Sequence, residues 1–237
     1  MRKMNSLLLG VRNFFFPGTC AICDGGLIGE EIRYALCVNC RASLVPVQGD
    51  RCGVCGRPLV SEKNTCLSCR TGATSSWERL RVLFPYTGKY RKLLTSYKFD
   101  KIIALADIFV EKVMEVINND PELKEAVIVP VPPRPGKIKM NGWDQVDFLV
   151  KRIRNIEGKN VSVCRCLKRR SSKVQKRLNR TERIENMKDR VFLNGTAPRI
   201  ALVIDDIITT GSTMEVCSSV LKEGGAEKVY GLCLFYN

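Results

Sequence analysis

Four Cys-x-x-Cys pairs crowd the first third of the chain and limit what that part can become. They are Cys20 with Cys23, Cys37 with Cys40, Cys52 with Cys55, and Cys66 with Cys69. In each pair a tight turn can point two thiolates at one tetrahedral ion, and the neighbouring glycines and Asp24 suit such turns. The pattern predicts two structural zinc sites. Sequential pairing closes the shorter loops at lower entropy cost and builds two ribbons, with an interleaved pairing left open. Four thiolates leave no position for water, so catalytic zinc is not expected. A disulfide scaffold is not expected either, because no signal-peptide pattern precedes the pairs. Cys164, Cys166, Cys217 and Cys233 lie in apolar or strand-like stretches and read as small core residues.

The 237 residues, 45% of them hydrophobic, suffice for one ordinary α/β core with a small appendage. The best apolar stretch, residues 7–16, is too short and too interrupted for a bilayer crossing, which points to a soluble, cytoplasmic protein with no membrane span. The formal net charge is +15 with no histidine, so every side-chain cation is a Lys or Arg that stays protonated at neutral pH and attracts polyanions. The missing histidine also excludes Ser-His, Cys-His and His-metal chemistry, leaving carboxylates, amides, cations and thiolates.

Hydrophobic periodicity divides the chain. Leu7, Leu8, Val11, Phe14 and Phe15 recur at helical spacing, so a short amphipathic helix leads into the cysteine pairs and completes a zinc module over residues 1–78. Residues 79–237 follow an α/β alternation. Strands are expected over 80–85, 126–131, 161–167, 200–204 and 228–235, and helices over 90–99, 103–117, 144–156 and 214–222. This order implies a mostly parallel sheet covered by helices.

The most informative stretch runs Ile200-Ala-Leu-Val-Ile-Asp-Asp-Ile-Ile-Thr-Thr-Gly-Ser-Thr213. A buried strand meets two carboxylates and then a turn of small residues that opens a helix. Thr209, Thr210, Gly211, Ser212 and Thr213 can turn backbone N–H groups and hydroxyls onto one phosphate, and the following helix adds its positive end. Asp205 and Asp206 repel one another unless a sugar diol or a hydrated Mg²⁺ shares their charge. No Gly-x4-Gly-Lys-Ser/Thr pattern occurs, which disfavours nucleoside triphosphate hydrolysis.

That stretch resembles the phosphoribosyl-pyrophosphate (PRPP) motif of type I phosphoribosyltransferases. The resemblance implies that Asp205 and Asp206 hold the ribose 2′ and 3′ hydroxyls and that Thr209 to Thr213 hold the 5′-phosphate. Over nearly its whole length the chain resembles the ComF competence-protein family, in which a double zinc ribbon is joined to a phosphoribosyltransferase-like α/β domain. Tyr97-Lys-Phe99, Val129-Pro-Val-Pro132, Asn141-Gly-Trp-Asp-Gln145, Gln175 and Arg183 match further family landmarks. Two positions depart from the pattern: Asn141 stands where the family has Arg, and Asp144 where it has Asn. The resemblance implies PRPP with Mg²⁺ as ligand, single-stranded DNA handled during uptake, and competence-machinery partners such as a helicase.

Two basic segments complete the reading. After Val131, a proline-stiffened loop carries Arg134, Lys137 and Lys139 and can seat a pyrophosphate. Between Lys151 and Arg190 there are fifteen Lys or Arg against four acids. In this segment Lys168, Arg169, Arg170, Lys173, Lys176 and Arg177 can neutralise nucleic-acid phosphates, or belong to a lid that closes over a substrate. Three functions therefore stand open: a PRPP-binding protein that handles DNA, an active phosphoribosyltransferase with an unidentified acceptor, and a non-catalytic adaptor. In the second, Mg²⁺-pyrophosphate leaves the anomeric carbon and no protein nucleophile is required.

Overall fold

The computed structural model describes residues 18–47, 49–59, 63–71, 75–170 and 190–237. The amphipathic helix expected before Pro17 lies outside them. Two compact units are present. One is drawn from the described residues of Met1–Val45 with Thr87–Phe109, the other from those of Pro46–Tyr86 with Val110–Asn237.

Each unit contains one zinc knuckle, and the two knuckles repeat each other bond for bond. In the first, Cys20 N–H donates to Gly25 O and Asp24 N–H to Cys20 O; in the second, Cys52 N–H donates to Arg57 O and Gly56 N–H to Cys52 O. Isolated antiparallel bridges flank both, Thr19 with Gly26 and Arg51 with Pro58. The turn requires a left-handed residue four positions after the first cysteine, and it is Asp24 (φ 62°) in one and Gly56 (φ 67°) in the other. Short helices Val38–Ala42 and Leu67–Thr71 follow the third cysteine of each set.

In the first unit Leu27, Leu36 and Leu44 are buried with Leu93, Leu94 and Tyr97 of helix α1, Gly88–Lys98. Tyr97 meets Phe109 edge-on at 5.1 Å. Lys92 Nζ reaches Asp24 at 2.6 Å, and Lys89 Nζ donates to Ser43 O, so α1 is fastened to the first ribbon.

The second unit is built on a four-stranded, all-parallel sheet in the order β1-β6-β5-β2. The strands are β1 (Arg79–Pro85), β2 (Val127–Pro130), β5 (Ile200–Ile208) and β6 (Lys228–Tyr236). Ala201, Leu202, Val203 and Ile204 are fully enclosed, as continuous apolar strands of a sheet covered on both faces require. Helix α2 (Ala106–Asn118) spans the boundary between the units, and α3 (Gln145–Glu157) and α4 (Ser212–Glu223) follow. A short antiparallel hairpin, β3 (Leu167–Arg169) with β4 (Val191–Leu193), completes this unit.

The expected parallel α/β sheet is present, with two local differences. Of residues 161–167 only Val163 bridges the sheet, beside Ile128, and Leu167 already opens the unforeseen antiparallel pair. Strand β5 continues through both aspartates to Ile208, because β6 pairs with it up to Tyr236. No helix among the described residues is long and apolar enough to cross a membrane.

Candidate functional site

Zinc is the first chemistry the residues can hold. A tetrahedral ion with Zn–S bonds of about 2.3 Å spaces its sulfurs about 3.8 Å apart. Cys23 and Cys37 Sγ lie 3.8 Å apart, as do Cys55 and Cys66. All four sulfurs of Cys20, Cys23, Cys37 and Cys40 fall within 4.8 Å of one another, and so do those of Cys52, Cys55, Cys66 and Cys69. The pairing is therefore sequential, and both sets fit a structural zinc. Burial pushes the Cys20 thiol up, but backbone N–H groups of Cys23, Cys37 and Ile22 outweigh it and bring it down to about 7. The same competition at Cys52, where N–H groups of Cys55, Cys66 and Val54 oppose burial, brings that thiol down to about 6. Amides aimed at sulfur favour the thiolate, the form that binds metal.

The second chemistry lies where the sheet divides. From β2 the chain passes through α3 to Val163 on the outer side of β2, whereas from β5 it passes through α4 to β6 on the other side. The carboxyl ends of β2 and β5 thus flank the crevice in which open α/β sheets bind ligands. Val131 N–H donates to Ile204 O at 3.0 Å, which brings the proline-stiffened loop alongside the aspartates. Beyond them the turn from Thr209 to Thr213 curls around a cavity of about 30 Å³, with Asp205 and Cys233 also in its wall. Gly211 caps α4 at φ 79°, and Thr210 and Ser212 hydroxyls bond at 2.8 Å. The first N–H groups of a helix have no partners within it and are suited to an anion.

Neighbouring residues of a strand face opposite sides, and the twin aspartates divide accordingly. Asp206, 5% exposed, accepts from Gln145 Nε2 of α3 at 2.7 Å. Gln145 Oε1 in turn accepts from Lys137, whose Nζ also pairs with Asp144 at 2.6 Å. Asp144 is buried and caps α3 by accepting from Val146 and Asp147 N–H. Lys137, expected at a pyrophosphate, is thus committed to a network that positions Asp206, while Arg134 stays exposed on its loop. Asp205 faces the other side, where its charge acts on Cys217 of α4 and on Arg169.

Arg169 is the unexpected member. At the end of β3 it lies between Lys168 and Arg170, which are exposed. Burial pulls its guanidinium below the usual value and the charges of Arg134, then of Arg190, add to the effect, with Asp205 opposing them. The charges of Arg134, Arg190 and Asp205 thus all reach Arg169, and the cations among them favour an anion there. Arg170 instead lies over the Phe192 ring at 4.7 Å. Lys173, Lys176, Arg177, Gln175 and Arg183 lie outside the described residues.

Residues 11–70 match the double zinc ribbon domain family. The chain is 28% identical to Competence protein ComFC of Streptococcus pneumoniae over 82% of this chain and 84% of that one. It is 25% identical to Competence protein F of Haemophilus influenzae over 91% and 95% of the two chains, and 26% identical to DNA utilization protein YhgH of Escherichia coli over 84% and 96%. The chain is ComFC-like.

In this ComFC-like chain the second ribbon forms part of the phosphate turn's surroundings. Trp77 Nε1 donates to Val54 O inside the ribbon, and the indole lies 3.5 Å from where a Cβ on Gly211 would be. Ser76 N–H and hydroxyl both bond Glu215 in the first turn of α4, at 3.1 and 2.6 Å. Arg57, Trp77, Thr209, Gly211 and Tyr236 share one small cavity with the thiols of Cys55, Cys66 and Cys69. Sequence reasoning missed Arg190, Ser76 and Glu215. Ser76 and Glu215 carry no local signal, because each is recruited by the other from far along the chain, whereas Arg190 closes the basic segment already marked.

Proposed function

We propose that this chain binds PRPP with Mg²⁺ at the carboxyl edge of β5 and serves the handling of incoming single-stranded DNA. The observation that carries the ligand is a phosphate turn that shares a cavity with Asp205 at the carboxyl end of β5, beside an Asp206 held in place by Gln145. The turn would take the 5′-phosphate, Asp205 and the network-held Asp206 the ribose hydroxyls, and Arg134, Arg169 and Arg190 the pyrophosphate. The oxygen donors fit Mg²⁺, which would shield the pyrophosphate charge. The relatives' printed names, competence and DNA utilization, support the DNA role. Lys168 of β3 and Arg170 just after it, both exposed, are the described residues offered to phosphates, with Lys173, Lys176 and Arg177 next in sequence.

Isothermal titration with PRPP and Mg²⁺ tests the ligand. Replacing Asp205 and Asp206 together by Ala is expected to weaken binding at least roughly tenfold, the equivalent of one charge-assisted hydrogen bond. Unchanged affinity overturns the assignment.

Turnover is a second reading, favoured by the cavity between the second ribbon and the turn, where Trp77, Arg57 and Tyr236 could face an acceptor. Pyrophosphate release that requires an added nucleobase, and that Trp77→Ala abolishes, is the result expected of it.

A further inference from the structure

A second basic groove lies along edge strand β1, and it shares no residue with the cavity at Asp205. Its volume is about 290 Å³. Val47 and Val116 are its half-buried apolar lining, with Arg51, Arg81 and Lys112 among the polar lining. Val47 N–H donates to Leu83 O at 2.8 Å and holds the segment before the second ribbon against β1.

The charges of this groove do not balance. Lys112 is neutralised by Glu115 at 2.8 Å. Asp120 is shared with Arg79, whose Nη2 lies 2.6 Å from each of its carboxylate oxygens and 3.0 Å from Glu122. That leaves Arg81 3.8 Å from Asp120, at the outer limit of an ion pair. Among the described residues Arg51 meets no carboxylate; one Nη donates to Val82 O at 2.6 Å, and the rest of its five donors are uncommitted. Burial and then the charge of Arg81 lower the Arg51 guanidinium below its usual value, the direction expected where negative charge is lacking. Two guanidinium forks facing one space match a doubly charged phosphate better than a single carboxylate, and the valines beside them suit a sugar or base.

We infer that the groove between β1 and α2 is a binding site for a phosphomonoester of nucleotide size, held by Arg51 and Arg81 with its organic part against Val47 and Val116. The phosphomonoester is carried either by a free nucleotide or by the 5′ end of a DNA strand. This inference does not depend on PRPP binding at Asp205.

The test is calorimetric titration of the full zinc-loaded chain with thymidine 5′-monophosphate and with thymidine. The monophosphate is expected to bind at least roughly tenfold more tightly than the nucleoside, the contribution of a charge-assisted pair. Arg81→Gln, at a half-exposed side chain, and Arg51→Lys, which keeps a donor for Val82 O, are each expected to lower that affinity by a similar factor while zinc content is retained. A 5′-phosphorylated oligothymidylate is then compared with its 5′-hydroxyl form. Tighter binding of the phosphorylated strand, lost in the same variants, assigns the site to strand ends; response to the mononucleotide alone assigns it to free nucleotides. Equal affinity for monophosphate and nucleoside overturns the inference, and so does full affinity in both variants.

Discussion

Asp144 shows how one substitution reorganises its neighbours. An Asn could cap α3 equally well, but it would not hold the Lys137 ammonium in the buried pair seen here. Paired with Asp144, Lys137 also contacts Gln145, which orients Asp206. Lys137→Met is therefore expected to cost about 1–3 kcal/mol of stability, because it leaves a buried carboxylate without its cation. Arg134→Gln, on an exposed loop, is expected to stay within about 0.5 kcal/mol, and urea unfolding of the two variants separates them. Asp147 offers a pH test. Burial raises its carboxyl, yet hydrogen bonds from Lys151 and Arg165 outweigh this and leave it below the ordinary 3.8. A depressed carboxyl stabilises the fold above its ordinary value and loses that contribution as pH falls through the native one. The stability gap between wild type and Asp147→Asn is thus expected to be constant at neutral pH and to close below about pH 4.

At the scale of elements, the two knuckles have the same hydrogen bonds but different tolerance. Asp24 occupies its left-handed position with a side chain that reaches Lys92, whereas a Cβ on Gly56 would stand 2.4 Å from Leu80 O of β1. Gly56→Ala is expected to destabilise the chain by at least about 2 kcal/mol, from strain plus collision, while Asp24→Gly costs well under half of that. Thermal unfolding of the two variants checks the contrast. Hairpin β3–β4 makes a similar division, since alternation turns Arg169 inward and Lys168 and Arg170 outward. On the proposed function, Arg169→Gln weakens PRPP binding and leaves the salt dependence of oligonucleotide binding unchanged. The double variant Lys168→Gln plus Arg170→Gln does the reverse, flattening the salt slope.

For the molecule as a whole, metal analysis is expected to find two zinc per chain, one for each sulfur set, with a value near zero in folded protein opposing the ribbon assignment. The net charge of +15 predicts polyanion affinity that falls steeply with salt, whichever surface carries it. Spacing within a few residues was enough to foresee the thiolate pairs, the apolar strand, its two carboxylates and the hydroxyl-rich turn, because covalent adjacency already places those groups together. That the sheet is parallel followed from the alternation of periods, but its strand order did not, and in the stretch at 161–167 only Val163 bridges β2 while Leu167 begins the pairing with β4. Packing between distant segments decided the rest: that cysteines pair sequentially, that the charge of Asp205 reaches Arg169, that Lys137 is committed to Asp144, and that Trp77 rests on Gly211. Local chemistry can specify a turn or a strand, but which side chain faces an anion and which is consumed by a neighbour depends on charges and surfaces that only folding brings within a few ångströms.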